Sequence, residues 1–269
     1  MDDPEEILNS SLNTLYEYQP TTLSSNGSIF TYPRIPVTLH TPDTSAANWS
    51  LHASSIWVSS LYLADHIDAL DLPSYLTKEG QKVRVLELGA GAGLPGIVIA
   101  KCFPNIQVTL SDFPDEKLIR TLSENIDINH VSDNCSARTY AWGSDPKELL
   151  RSGDSPDSPS LFHVIIAADT IWNPESHEIF IGSLKSTLRR SYDSRAHLVA
   201  GMHTGRYALQ SFLNTAVRCG FILDSLEEKE QSGSETREWD VTRAEQEDEK
   251  ERRRWLLWII LKWPGEVCI

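Results

Sequence analysis

Gly89, Gly91, Gly93 and Gly96 stand close together in VLELGAGAGLPG, residues 85–96, directly after a short apolar run. Glycine takes positive φ at no steric cost and lets the backbone come close to a ligand. A helix that opens behind such a turn presents unpaired N–H groups. Together these features suit a nucleotide-bearing ligand. Two acids extend the constellation. Asp112 follows the turn by about 20 residues, the interval at which a strand-end carboxylate reaches ribose hydroxyls. Asp169 closes a second apolar run, FHVIIAAD, and Asp169-Thr170-Ile171-Trp172 carries an aromatic ring just beyond it. A carboxylate placed there can orient an amine and take or relay its proton. An aromatic face beside it favours a cation. His203 ends a further run on the same edge, although a lone histidine is more often a satisfied structural residue.

These groups need a frame, and the hydrophobic pattern supplies one. VRVLEL (83–88) is a short apolar run bounded by the glycines, which predicts a buried strand. Pro95 suits the first turn of the following helix, GIVIAKCF. IQVTLSD is a second strand ending at Asp112. Pro114 opens the next helix, with Leu118, Leu122 and Ile126 on one face. SARTYAWG reads as a third strand, FHVIIAAD as a fourth and HLVAGM as a fifth. Helical patterns lie in NPESHEIFIGSLKSTLRR and in RYALQSFLNTAVRCG, where Gly220 is the stop; KELLRSGDSPDSPS is a short helix and a polar loop. Upstream, SSIWVSSLYLADHIDAL has helical spacing with one buried face. Strands that alternate with helices predict a parallel sheet covered on both faces. The end breaks the pattern: GFILDSLEE and RRRWLLWIILKW are strands with no helical pattern between them, so they pair antiparallel or lie apart. The acidic stretch between them, EQEDEKERRR included, reads as a solvated loop. Trp255, Trp258 and Trp263 read as core of the last strand. Residues 1–50, rich in Ser, Thr, Asn and Pro, read as a partly ordered extension, with SIFTYPRIPVTLH supplying one or two edge strands; residues 51–269 form the main domain.

Composition narrows the function classes. The chain has 269 residues, 40% of them hydrophobic, and a net charge of −14. That is enough to bury a core, and the acidic balance weighs against nucleic acid as a partner, because phosphate contacts need clustered Lys and Arg. A basic protein partner stays open. Cys102, Cys135, Cys219 and Cys268 are far apart and form no C-x-x-C pair, which predicts reduced thiols and no metal site. No apolar run reaches the roughly 18 residues of a spanning helix, and the acidic start has no apolar core. The expectation is a cytoplasmic monomer.

The glycine turn fits two frames. Gly91, Gly93 and Gly96 match the dinucleotide pattern G-x-G-x-x-G. Glu87, Gly89, Gly91 and Gly93 match E-x-G-x-G-x-G, the pattern of enzymes that use S-adenosyl-L-methionine. Glu87, the missing crossover helix at the end and the lack of a second glycine fingerprint favour the second frame. On these residues, with ASSIW, TLSDFPD, AWG and AADTIW, the chain resembles the class I S-adenosylmethionine-dependent methyltransferases. It is most similar to the methyltransferase-16 family and, within it, to the fungal elongation factor 1A N-terminal and lysine methyltransferases, a nicotinamide N-methyltransferase-like group.

The resemblance implies a Rossmann-like sheet of seven strands, mostly parallel, with an antiparallel C-terminal strand. It implies cofactor contacts at Trp57, Glu87, Gly89, Gly91, Gly93, Asp112, Trp142 and Asp169, with Gly143 beside the adenine segment. Asp169 and Trp172 would face the acceptor. Two departures lie on the acceptor side: Trp172 stands where relatives carry Tyr or Phe, and His203-Thr204-Gly205-Arg206 replaces a His-Arg-Pro run. The implied activity is methylation of a lysine or N-terminal amine of a protein such as elongation factor 1A. A small-molecule N-methyltransferase, a non-catalytic cofactor-binding scaffold and a dehydrogenase are the alternatives.

Overall fold

The computed structural model describes residues 21–76, 82–151 and 160–268. Residues 1–20 of the extension and 152–159 of the polar loop after KELL lie outside the described residues. The strands are β1 (Ile29–Tyr32), β2 (Val37–His40), β3 (Val83–Leu88), β4 (Ile106–Asp112), β5 (Cys135–Thr139), β6 (Val164–Ala168), β7 (Arg195–Gly201), β8 (Ile222–Glu230), β9 (Thr236–Glu238) and β10 (Trp255–Lys262). β1 and β2 form a separate hairpin, and the rest join one sheet in the order β5-β4-β3-β6-β7-β10-β8-β9. From β5 to β7 all neighbours are parallel. β10 inserts antiparallel between β7 and β8.

The sheet has eight strands where the sequence predicts seven. The extra one is β9, which folds back on β8 through Glu227–Glu238 and Lys229–Thr236 pairs. Its three residues, Thr-Arg-Glu, carry no apolar alternation, so the hydrophobic pattern could not announce it. Charge holds this region instead. Arg206, buried at the start of the helix Arg206–Arg218, binds Glu228 of β8 at 2.5 Å and Glu247 at 2.7 Å. Arg237 and Arg243 reach Glu228 as well, each at 2.7 Å. The expectation of a solvated loop over EQEDEKERRR therefore fails at Glu247. Its carboxylate is 5% exposed because it neutralises a buried guanidinium. A one-turn helix, Glu249–Arg253, completes the segment.

The helices of two turns or more are α1 (Val58–Asp65), α2 (Leu94–Cys102), α3 (Glu116–Ile128), α4 (His177–Thr187) and α5 (Arg206–Arg218). Alternation along β3 explains the layering. Val83 and Val85 join the apolar layer that holds Leu63 of α1, Ile97 of α2 and Leu122 of α3. Leu86 and Leu88 join the opposite layer, with Phe180 of α4 and Phe212 of α5. Trp255, Trp258 and Trp263 are buried along the last strand and its end, as the sequence implies. The β1–β2 hairpin packs Tyr32, Val37 and Leu39 on the first layer. Its free edge is closed by side chains: Asn125 of α3 and Asn129, which caps that helix, each exchange two hydrogen bonds with the β2 backbone, at His40 and Thr38. That removes the unpaired edge groups that a hairpin would otherwise present.

Candidate active site

β3, β4 and β6 are parallel neighbours, so Glu87, Asp112 and Asp169 arrive at the same carboxyl edge of the sheet, where ligands of open α/β folds bind. A cavity of about 280 Å³ opens there, close to the lower bound of roughly 300 Å³ for small-molecule sites. Its lining includes Glu87, Gly89, Gly91, Asp112 and Trp142 together with His52, Trp57, Asp169 and Trp172. Gly93 and Gly143 are not among the lining residues.

The turn after β3 is shaped by what a side chain would strike. At Gly89, φ is +69°, and a Cβ would come within 2.8 Å of Thr170 and 3.3 Å of the Trp142 ring. At Gly96, a Cβ would run into Leu110 and lie 2.6 Å from Glu87 Oε2. That contact lets the Gly96 N–H donate to Glu87 at 2.9 Å. Gly93 caps α2 and faces Leu110 and Leu122, so its closeness serves packing behind the cavity. Gly91 lines the cavity and donates its N–H to Asp112 Oδ2 at 2.7 Å; Phe113 N–H donates to Oδ1 at 2.7 Å.

Burial governs the acids. It pushes the Glu87 carboxyl up to about 8, with the Gly96 N–H pulling downward and nearby Asp112 adding to the rise. It pushes Asp112 up to about 6 against the N–H groups of Gly91 and Phe113. Asp169 is likewise raised by burial, and His203, Ser59 and Gly201 oppose the rise. Its Oδ2 accepts from Ser59 Oγ at 2.5 Å and its Oδ1 from Gly201 N–H at 2.8 Å. His203 Nδ1 lies 4.0 Å from Oδ1. Asp169 also adopts φ +52°, a left-handed conformation uncommon outside glycine. The structure holds this acid from three sides.

The aromatic residues fall into two groups. Trp142 packs edge-on against Phe180 at 4.8 Å, on the same side as Gly89. At the far end His203 stacks on Trp57 at 5.2 Å, and His52 sets its edge on Trp57 at 6.2 Å and on Trp172 at 5.2 Å. Trp57 is not inside a helix: it caps α1, and its Nε1 donates to the His52 carbonyl at 2.9 Å. His52 is a residue that the sequence did not single out. It takes φ +54° after a short 3₁₀ segment, Ala46–Leu51, and no local pattern marks it. Asp115 also went unnoticed as a tether. It caps α3, and it accepts hydrogen bonds from Ser45 and Asn48, which fasten the 46–51 segment over the site.

A parallel sheet whose first glycine turn and strand-end acids share one cavity is the arrangement of a Rossmann-like methyltransferase. The chain belongs to the lysine methyltransferase family: that family's model matches residues 45–218. It is 32% identical over 188 residues to a protein N-terminal and lysine N-methyltransferase of Schizosaccharomyces pombe, covering 67% of this chain and 69% of that one. A protein of the same description from Gibberella zeae is 30% identical over 209 residues, covering 74% and 71%. A protein-lysine N-methyltransferase of Saccharomyces cerevisiae is 28% identical over 166 residues, covering 58% and 38%. Among solved structures, a glycopeptide N-methyltransferase complexed with S-adenosyl-L-methionine aligns with a TM-score of 0.49 at 12% identity, over 72% of this chain and 93% of that one.

The cofactor of such a methyltransferase is S-adenosyl-L-methionine, and the donor set fits it. The cavity has an acid that would accept from vicinal hydroxyls at Asp112, an aromatic face at Trp142, an acid for the amino-acid tail at Glu87, and glycine where a Cβ would intrude.

Proposed function

We propose that this chain transfers a methyl group from S-adenosyl-L-methionine to a lysine or N-terminal amine of a protein, with elongation factor 1A as the acceptor. The reading is carried by one observation: the glycine turn, Asp112, Asp169, Trp57 and Trp172 line a single cavity. The relatives' descriptions as protein N-terminal and lysine methyltransferases support the protein acceptor. The charge of −14 suits a basic partner and disfavours nucleic acid. No described helix is long and apolar enough to cross a membrane. A cytoplasmic monomer is part of the same proposal.

The cofactor supplies a methyl group on an activated sulfonium, so the protein contributes positioning and desolvation. Asp112, fixed by two N–H groups, accepts from ribose hydroxyls. Trp142 covers the base, and Glu87 with the glycine turn holds the amino-acid tail. The acceptor amine must be neutral to attack, and a lysine starts near a pKa of about 10.4. Asp169 serves here. Its oxygens each accept one internal hydrogen bond and each keep a second lone pair. It orients the amine and accepts its proton, while Trp172 and Trp57 wall the cation in. His203 positions Asp169 and Trp57 from behind.

The test is transfer itself. Purified protein is incubated with methyl-labelled S-adenosyl-L-methionine and an extract of cells that lack it, and the label is separated into protein and small-molecule fractions. Label in a protein band at the mass of elongation factor 1A is expected. Label confined to small molecules would overturn the protein reading.

A further inference from the structure

A second cavity, of about 330 Å³, lies on the outer side of the acceptor end. It shares His52, Ser55 and Trp57 with the first, so the two lie side by side against these residues. Trp49 and Asn26 bound its far side. We propose that this outer cavity binds the extended main chain of the protein acceptor next to the amine being methylated, with Trp49 as its clamp. The inference rests on the proposed protein acceptor and names how that protein is gripped.

Four observations carry it. The cavity adjoins the site at His52 and Trp57, so a chain that presents an amine beside these residues has the outer space within reach. The lining has no Asp, Glu, Lys or Arg. It therefore suits an uncharged backbone better than a charged side chain. Among the described residues, the hydroxyl and carbonyl of Ser55 have no hydrogen-bond partner, although Ser55 faces both cavities. An extended chain uses main-chain groups of this kind when it docks. Finally, Trp49 is 63% exposed, on a short turn with no buried residue of its own. The turn is nevertheless fixed, because Asp115 accepts from both Ser45 and Asn48. A large ring held rigidly at a cavity rim is the kind of residue that anchors an interface at little entropic cost.

The pair Trp49→Ala and Ser55→Ala tests this, with elongation factor 1A as the acceptor probe. Trp49 is exposed and outside the core, so its removal leaves the fold intact; unchanged thermal stabilisation by S-adenosylhomocysteine verifies this. For Trp49→Ala the half-saturating concentration of elongation factor 1A is expected to rise about tenfold, with the rate at saturation kept. Ser55→Ala is expected to raise it two- to threefold. Half-saturation equal to wild type in Trp49→Ala would overturn the inference while leaving protein methylation standing. If wild type labels nicotinamide and not elongation factor 1A, the proposed function fails first and this inference with it.

Discussion

The two ends of the cavity are built in different ways. At the cofactor end, Glu87, Gly89, Gly91 and Asp112 come from two adjacent parallel strands and the turn between strand and helix. Their partners are backbone N–H groups a few residues away or across one strand: Gly96 for Glu87, Gly91 and Phe113 for Asp112. At the acceptor end, Asp169 is held by Ser59 and Gly201, and Trp57 by His52 and His203. Apart from His52–Trp57, those contacts join segments far apart in sequence. A site held by local backbone can be carried whole from one protein to another. A site held by contacts among three stretches, around 52–59, 169 and 201–203, changes when any of them changes.

The largest expected effect separates the ends by chemistry. Asp169→Asn keeps the shape but loses the base, so turnover falls roughly 10²- to 10⁴-fold, while S-adenosylhomocysteine binding measured by calorimetry changes little. The remaining wild-type activity carries a pH signature. Burial raises the Asp169 pKa, and only its ionised form accepts a proton, so the rate falls as pH drops through that raised value. A turnover profile with no acidic limb above the ordinary carboxylate range would contradict this role.

Arg206→Met probes the remote support of the acceptor end. It takes the buried guanidinium from Glu228, which keeps Arg237 and Arg243, and from Glu247, at a cost of about 3 kcal/mol. Arg252 of the same segment donates to the Met202 carbonyl, beside His203. Denaturant unfolding should show the loss, and acceptor half-saturation should worsen more than cofactor binding does. Equal damage to both would mean that the two ends are not separately supported.

Asp112→Asn is expected to weaken S-adenosylhomocysteine roughly 10- to 100-fold, the value of about 1.5–3 kcal/mol for hydrogen bonds to a charged group. The smallest effect concerns Glu87. Its folded pKa, about 8, lies above the unfolded value, so the folded state holds the proton more tightly. Stability of the cofactor-free protein therefore declines as pH rises from about 4.5 through 8 and levels off above. In Glu87→Gln that decline is shallower. Thermal unfolding at several pH values would show it, and identical slopes would contradict it.

The same contrast decides what the sequence reveals. The cofactor end is legible because its chemistry lies within a short stretch, where glycine spacing, a strand and an acid form a readable order. Asp169 and Trp172 are legible for the same reason, as a strand end and the turn after it. His52 and Ser55 are not. They act because Ala46–Leu51 folds back over the sheet, and that placement depends on Asp115, far along the chain. Gly93 shows the reverse limit. Its spacing assigns it to the cofactor, yet the geometry sets it against Leu110 and Leu122. Charge also misleads when its partner is remote. Glu247 sits in an acidic run that reads as solvated, and only the position of Arg206 on another element explains why it is buried. β9 was hidden likewise, since ion pairs rather than apolar alternation hold it.

The most direct measurement is a calorimetric titration of three proteins with S-adenosylhomocysteine: wild type, Asp112→Ala and Trp172→Ala. The two-ended cavity predicts one site per chain in wild type, much weaker binding in Asp112→Ala, and near-wild-type affinity in Trp172→Ala. Equal loss in both variants, or full affinity in Asp112→Ala, would contradict the assignment of cofactor and acceptor to opposite ends.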